Sequence, residues 1–200
     1  MALVLTLAAS LLVGCVSGGD VRLQSVANPE RVVRPALPTA VFVPTGAAGV
    51  DIYLTDLSRR DLDPLADLSL VDGHIVHIHM FLRPSPGRTP IDSNATNATV
   101  RHMIFTRGVV GSYEGAGFLL PRMTPGSDTF AARLREASVR LMRHDPGFSD
   151  PLGAATLSAE IRAREDPALA RLIARRLERE SLRLPSVREL EDAAREERTP

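Results

Sequence analysis

The densest cluster of coordinating side chains is His77-Ile78-His79, in a chain with five histidines and one cysteine. Alternate residues of an extended strand point to the same side, so His77 and His79 would project together. His102, on a neighbouring strand, would then complete a nitrogen face for a transition metal such as zinc, copper or iron. Asp72 or Asp92 could add a carboxylate, and His74 lies just before the strand. Half-buried histidines bonded to backbone or acids would produce the same spacing without a metal, so both readings stand at this point. Cys15 is the second residue with distinctive chemistry. A lone cysteine forms no internal disulfide, no cysteine zinc cluster and no two-cysteine redox pair.

The composition removes several function classes. All 24 basic residues are arginine, which excludes a Schiff-base lysine, a phosphate-loop lysine and a lysine general base. They are balanced by 24 acidic residues, so the charge pattern of a nucleic-acid binder is missing. Tryptophan is absent and aromatics total 4%, which disfavours a stacking platform for bases or sugars. No Gly-x-Ser-x-Gly elbow occurs, and the glycine-rich stretch 111–117 opens no helix that would hold a phosphate. Nothing in this inventory specifies an enzyme.

Residues 1–13 form an uncharged apolar run that ends in Gly14-Cys15. It is shorter than the roughly 20 apolar residues of a bilayer-spanning helix and matches the apolar region of a secretory signal. The only positive charge ahead of it is the Met1 amine. Leu12-Val13-Gly14-Cys15 resembles the lipobox of bacterial lipoproteins. The resemblance implies removal of residues 1–14, diacylglycerol on the Cys15 thiol and an acyl chain, such as palmitate, on the new amino group. Two or three acyl chains anchor a protein stably, whereas one binds only marginally. Val16 follows the cysteine, where lipoproteins kept on an inner membrane often carry Asp. The resemblance therefore implies a cell-envelope protein, facing the periplasm from an outer membrane where two membranes exist.

The elements that must position these residues can be read by period. Residues 15–39, interrupted by Pro29, Pro35 and Pro38, are expected to be a lipidated tether. Residues 40–150 are expected to form a β-rich domain. In it, strands near 41–43 and 50–55 make a hairpin, 75–82 is the clearest strand, 99–105 is another, and 109–113 with 117–120 supplies one or two more. Asp63-Pro64 suits a short helical turn, and Asp56, Asp61, Asp63, Asp67 and Asp72 fit turn and cap roles better than a calcium loop. Residues 130–142 are compatible with helix or strand. Residues 151–200 are expected to be a helical extension. Asp166-Pro167 opens one helix with Leu169, Leu172, Ile173 and Leu177 on one stripe, and Ser186 with Glu189 caps a second. These helices are the expected contact for an envelope protein partner. Alternatively, the arginines of the first could rest on anionic lipid or simply be solvated.

Two enzyme families carry strings like the histidine strand. His77-Ile78-His79-Met80-Phe81, followed by Pro86-Gly87, resembles the iron-binding strand of intradiol ring-cleaving dioxygenases. Those enzymes take two ligand tyrosines upstream of the histidines, and this chain has Tyr53 there. The His-x-His pair is also similar to the copper strand of copper–zinc superoxide dismutases, whose later histidine motifs and disulfide are missing here. Both resemblances imply a β-sandwich. The expected class is α+β, with a mainly antiparallel, sandwich-like β core and a C-terminal helical extension.

Overall fold

Buried residues recur at every second position along most of the chain, the period that places one face of a strand in a core. The computed structural model describes residues 18–46, 49–84, 95–122 and 128–196. Its strands are β1 (Gly18–Ser25), β2 (Val32–Val33), β3 (Ala36–Leu37), β4 (Thr39–Thr45) and β5 (Gly49–Thr55). They continue with β6 (Gly73–Met80), β7 (Ala98–Thr106), β8 (Val109–Arg122), β9 (Thr129–His144) and β10 (Ala155–Glu165). Two helices follow, α1 (Pro167–Arg183) and α2 (Val187–Glu196). The α+β class, with a mainly antiparallel β core and C-terminal helices, is as expected.

From β4 to β9 each strand pairs antiparallel with the next, and β9 then pairs with β10. β10 returns to β4 through a short parallel contact, Arg164 opposite Val41 and Glu165 opposite Phe42, so the sheet closes on itself. The other stretch of that β10 edge holds β1 antiparallel, with Gly18 opposite Arg162 and Ser25 opposite Ala155. Bulges in β8 and β9 bend the long strands. Gly115 lies in this region because a Cβ there would meet the Ser138 carbonyl oxygen at 1.8 Å.

Two cores result, one on each face of the sheet. The inner core gathers Leu23, Phe42, Ile52, Val76, Ile78, Tyr113, Phe130 and Leu157. The outer core lies between β4–β7, the 56–72 loop and α1, with Tyr53, Leu62, Ile75, Met103, Ile173 and Leu177. Helix α1 begins as its sequence requires: the Asp166 carboxylate accepts from the Leu169 N–H at 2.9 Å and Pro167 opens the first turn. The Ser186–Glu189 box also forms, Ser186 N–H to Glu189 at 2.6 Å and Glu189 N–H to Ser186 Oγ at 3.2 Å. Helix α2 buries none of its residues.

Three segments differ from expectation. Residues 18–25, read as tether, form β1, with Val21, Leu23 and Ser25 buried at the strand period. Residues 155–165, read as helical extension, form β10; its alternation of Ala155, Leu157, Ala159, Ile161 and Ala163 meets cores whose partners lie far away in sequence. Asp63 to Ala66 makes a hydrogen-bonded turn instead of a helix, Ala66 N–H to Asp63 O at 2.9 Å. The ambiguous 130–142 segment lies within β9.

That turn is held by a buried arginine on α1. The Arg176 guanidinium donates to the carbonyls of Asp63, Pro64 and Ala66 at 3.0, 3.1 and 3.2 Å and pairs with Glu180 at 3.3 Å. Removing one member of such a pair strands the other in a dry site, at a cost of about 3–5 kcal/mol. R176M should therefore lower urea stability by about 3 kcal/mol, and R176M/E180L should recover part of the loss. A double variant no better than R176M would show that the carbonyl bonds, not the ion pair, account for the effect.

Candidate functional site

Registry places a polar row on the outer face of the sheet. Tyr53 on β5 stands opposite His77 on β6, His77 opposite Arg101 on β7, and Arg101 opposite Glu114 on β8. One step along, Asp51 faces His79. His77 and His79 do share a side, as their spacing requires, and both turn toward Asp51. Asp51 Oδ1 lies 2.9 Å from His77 Nε2 and 2.8 Å from His79 Nδ1. An ionised carboxylate only accepts, so these two nitrogens carry the hydrogens. His77 Nδ1 and His79 Nε2 are then the ring atoms left to accept a hydrogen bond.

Burial by itself would raise the Asp51 carboxyl, but hydrogen bonds and charge attraction from the two histidines outweigh it and hold it below its usual range. Tyr53 stacks flat on His77, ring centroids 4.6 Å apart, and fixes that imidazole plane. Burial first, and the Asp51 charge second, push the Tyr53 phenol up to about 12, so it stays protonated. On the other flank Arg101 donates to Ser181 Oγ of α1 at 3.1 Å. Glu114 Oε1 lies 3.2 Å from Arg101 Nε, an ion-pair approach without hydrogen-bond alignment. Beside this row, α1 and the β4–β5 hairpin enclose a cleft of about 540 Å³ lined by Val43, Asp51, Tyr53, Glu165, Ala170 and Arg171.

His102 does not join them. It faces Val76 across β6–β7, on the side of the inner core, so the sheet itself separates it from His77 and His79. Its Nε2 lies 3.0 Å from His74 Nδ1, while its Nδ1 has no hydrogen-bond partner among the described residues. The three-histidine metal face expected from spacing is therefore not assembled, because the register sets His102 opposite Val76, one residue from His77, and so on the other face of the sheet. Among the described residues no group of three or more His, Cys, Asp or Glu side chains is arranged to hold a metal ion. Asp72 instead accepts the Arg107 N–H at 3.0 Å; Asp92 and Cys15 lie outside the described residues.

The inner pair has its own electrostatics. His102 is fully buried, and burial, reinforced by the neighbouring His74 charge, pushes its imidazole down to about 3. Burial also lowers His74, partly countered by Asp56. Next to them Tyr113 hydrogen-bonds Asp150, and burial followed by that carboxylate raises the phenol. Asn97 is buried: it donates to Leu82 and Leu119 carbonyls at 3.1 and 2.9 Å and accepts from the Leu119 N–H at 2.6 Å. The Asp51 contact and the His74–His102 pair were missed by sequence reasoning. The Asp51 signal was present only as an acid at an alternate position of a strand whose register was unknown.

Compared with family models, curated proteins and solved structures, the chain matches none.

Two outcomes follow from these shifts. Asp51 is lowered on folding, so its contribution is complete above the unfolded carboxyl value of about 3.9 and disappears as pH falls through the folded one. D51N should cost about 1–2 kcal/mol at pH 7, by urea titration, with the gap to the parent closing below about pH 3.5. Equal stability of D51N and parent at pH 7 would contradict the assigned bonds. His102 is also lowered, so the unfolded chain takes up a proton near pH 6.5 that the folded chain refuses. Stability is then complete above that pH and falls on acidification by roughly 1.4 kcal/mol per pH unit from this residue. H102L should flatten the slope between pH 6 and about pH 4, while an unchanged slope would rule out a neutral buried His102.

Proposed function

We propose that this chain is a lipid-anchored cell-envelope protein whose β domain and C-terminal helices serve a binding or structural role. The observation that carries the reading is the apolar run closed by Leu12-Val13-Gly14-Cys15, with the folded domain beginning only three positions later, at Gly18. The described residues contain no cysteine, so no folded-domain role competes there for a thiol. No helix among them is long and apolar enough to cross a membrane. Where two membranes are present, Val16 after the cysteine favours the outer one, facing the periplasm.

A binding role is supported by two features. Helix α2 follows the Arg143–Ser186 bridge to β9 yet fully buries none of its side chains, and residues 191–196 are exposed. The cleft beside Asp51 brings a carboxylate, a phenol and Arg171 together under α1. Helix α1 is a poorer candidate for a free partner helix, because Ile173, Leu177 and Arg176 are built into the outer core. A truncation that probes partner binding should therefore begin at residue 187 and spare α1.

The anchor is tested on protein extracted from membranes with detergent. The intact mass should lack residues 1–14 and include a diacylglyceryl group and an acyl chain. C15S should move the chain to the soluble fraction. An unmodified chain still beginning at Met1 would refute the proposal.

A further inference from the structure

Strand directions sort the loops onto two rims. At one rim lie the start of β1, the turn after β4, the segment after β6, the end of β8 and the end of β10. At the other lie the 56–72 loop, the β7–β8 turn and residues 145–154. An eight-residue strand such as β6 separates them by about 25 Å.

The first rim is the one to which Cys15 is tied. Three residues span no more than about 11 Å, so lipid on Cys15 would hold this rim against the bilayer surface with almost no tether. The exposed side chains suit such a neighbour. Phe81 and Leu82 are 47% and 50% exposed, and their backbone is fixed rather than loose: Phe81 N–H bonds the Asn97 carbonyl at 3.0 Å and Asn97 holds the Leu82 carbonyl. On the same rim, exposed Arg122, Arg162 and Arg164 stand against Asp128, Glu165 and Asp166, the last 3.7 Å from Arg164. The opposite rim is the more acidic one, its 56–72 loop carrying five aspartates against Arg59 and Arg60.

We propose that the rim bearing Gly18, Phe81, Leu82, Arg122, Arg162 and Arg164 rests on anionic phospholipid headgroups of the membrane, with the two apolar side chains at the acyl boundary. This rests on the lipid-anchor reading and adds an orientation to it. Apolar side chains insert at this depth while arginines pair with headgroup phosphates, and each arginine near an anionic surface changes occupancy about fivefold. Helix α1 then runs roughly along the membrane normal, since it starts beside β10 at this rim and its Arg183 pairs with Asp145 at the other, 2.6 Å away. It does not lie flat on lipid.

The absence of tryptophan permits single-site reporters. The full lipidated chain carrying F81W, L70W or L182W is added to preformed phosphatidylglycerol–phosphatidylcholine vesicles containing acyl-brominated lipid. Leu70 and Leu182 are 89% and 81% exposed, at the far rim and on α1 respectively. Bromine should quench F81W and leave L70W and L182W unchanged. Adding R122E/R162E/R164E to F81W should keep the protein floating with vesicles while reducing quenching several-fold, as should vesicles of phosphatidylcholine alone. Flotation with F81W unquenched, or with L182W quenched in its place, overturns the orientation and leaves the anchor intact. Failure of the parent chain to float, with no difference from C15S, overturns both.

Discussion

The two-sided hydrogen-bonding of β10 is the constraint on which the rest depends. One edge accepts β9, the other is divided between β1 and the middle of β4, and with those ladders complete the sheet has an inside. The inner core exists only once β10 closes it, and the outer core needs α1, which leaves β10 through the Asp166 cap. An unpaired strand edge in the interior would cost backbone polar groups their partners, so the chain gains from closing fully or hardly at all.

The same period of two that builds the sheet divides its histidines into separate chemistries. On the outer face, His77 and His79 both bond the Asp51 carboxylate and remain partly open to solvent. On the inner face, His102 has only a second imidazole as partner, and burial keeps it neutral. Residue type is identical in both places; the side of the sheet decides what each ring can do. Around the outer pair, the flat Tyr53 ring and the Asp51 carboxylate supply orientation, and α1 supplies one wall of the adjoining cleft.

Local signals carried well from sequence to structure. The histidine strand, the Asp166-Pro167 helix start and the Ser186–Glu189 box each depend on residues within a few positions, and each formed as read. The aspartates of 56–72 also took turn roles, Asp63 accepting from Leu65 and Asp67 from Ser69. Longer-range facts were not legible. β10 is rich in Ala, Glu and Arg, which favour helix, and only distant β1 and β9 make it a strand. β1 sits amid glycines and prolines that suggested a linker. The face occupied by His102 depends on β6–β7 register, which no local pattern states. That is why half of the polar site was readable and its carboxylate was not.

The pairing of Gly18 with Arg162 also has a meaning for how the chain comes to be folded. The first strand makes short ladders with β2 and β3, but finds its full-length partner only after all the other strands have been made. Such high contact order slows closure, because a long loop must lose its freedom before the ladder rewards it. A chain emerging from the ribosome would therefore stay open until β10 appears, its early strands without a settled core. The topology therefore leaves the chain open while it is being made, and the junction of β1, β10 and β4 is the last part of the sheet to form.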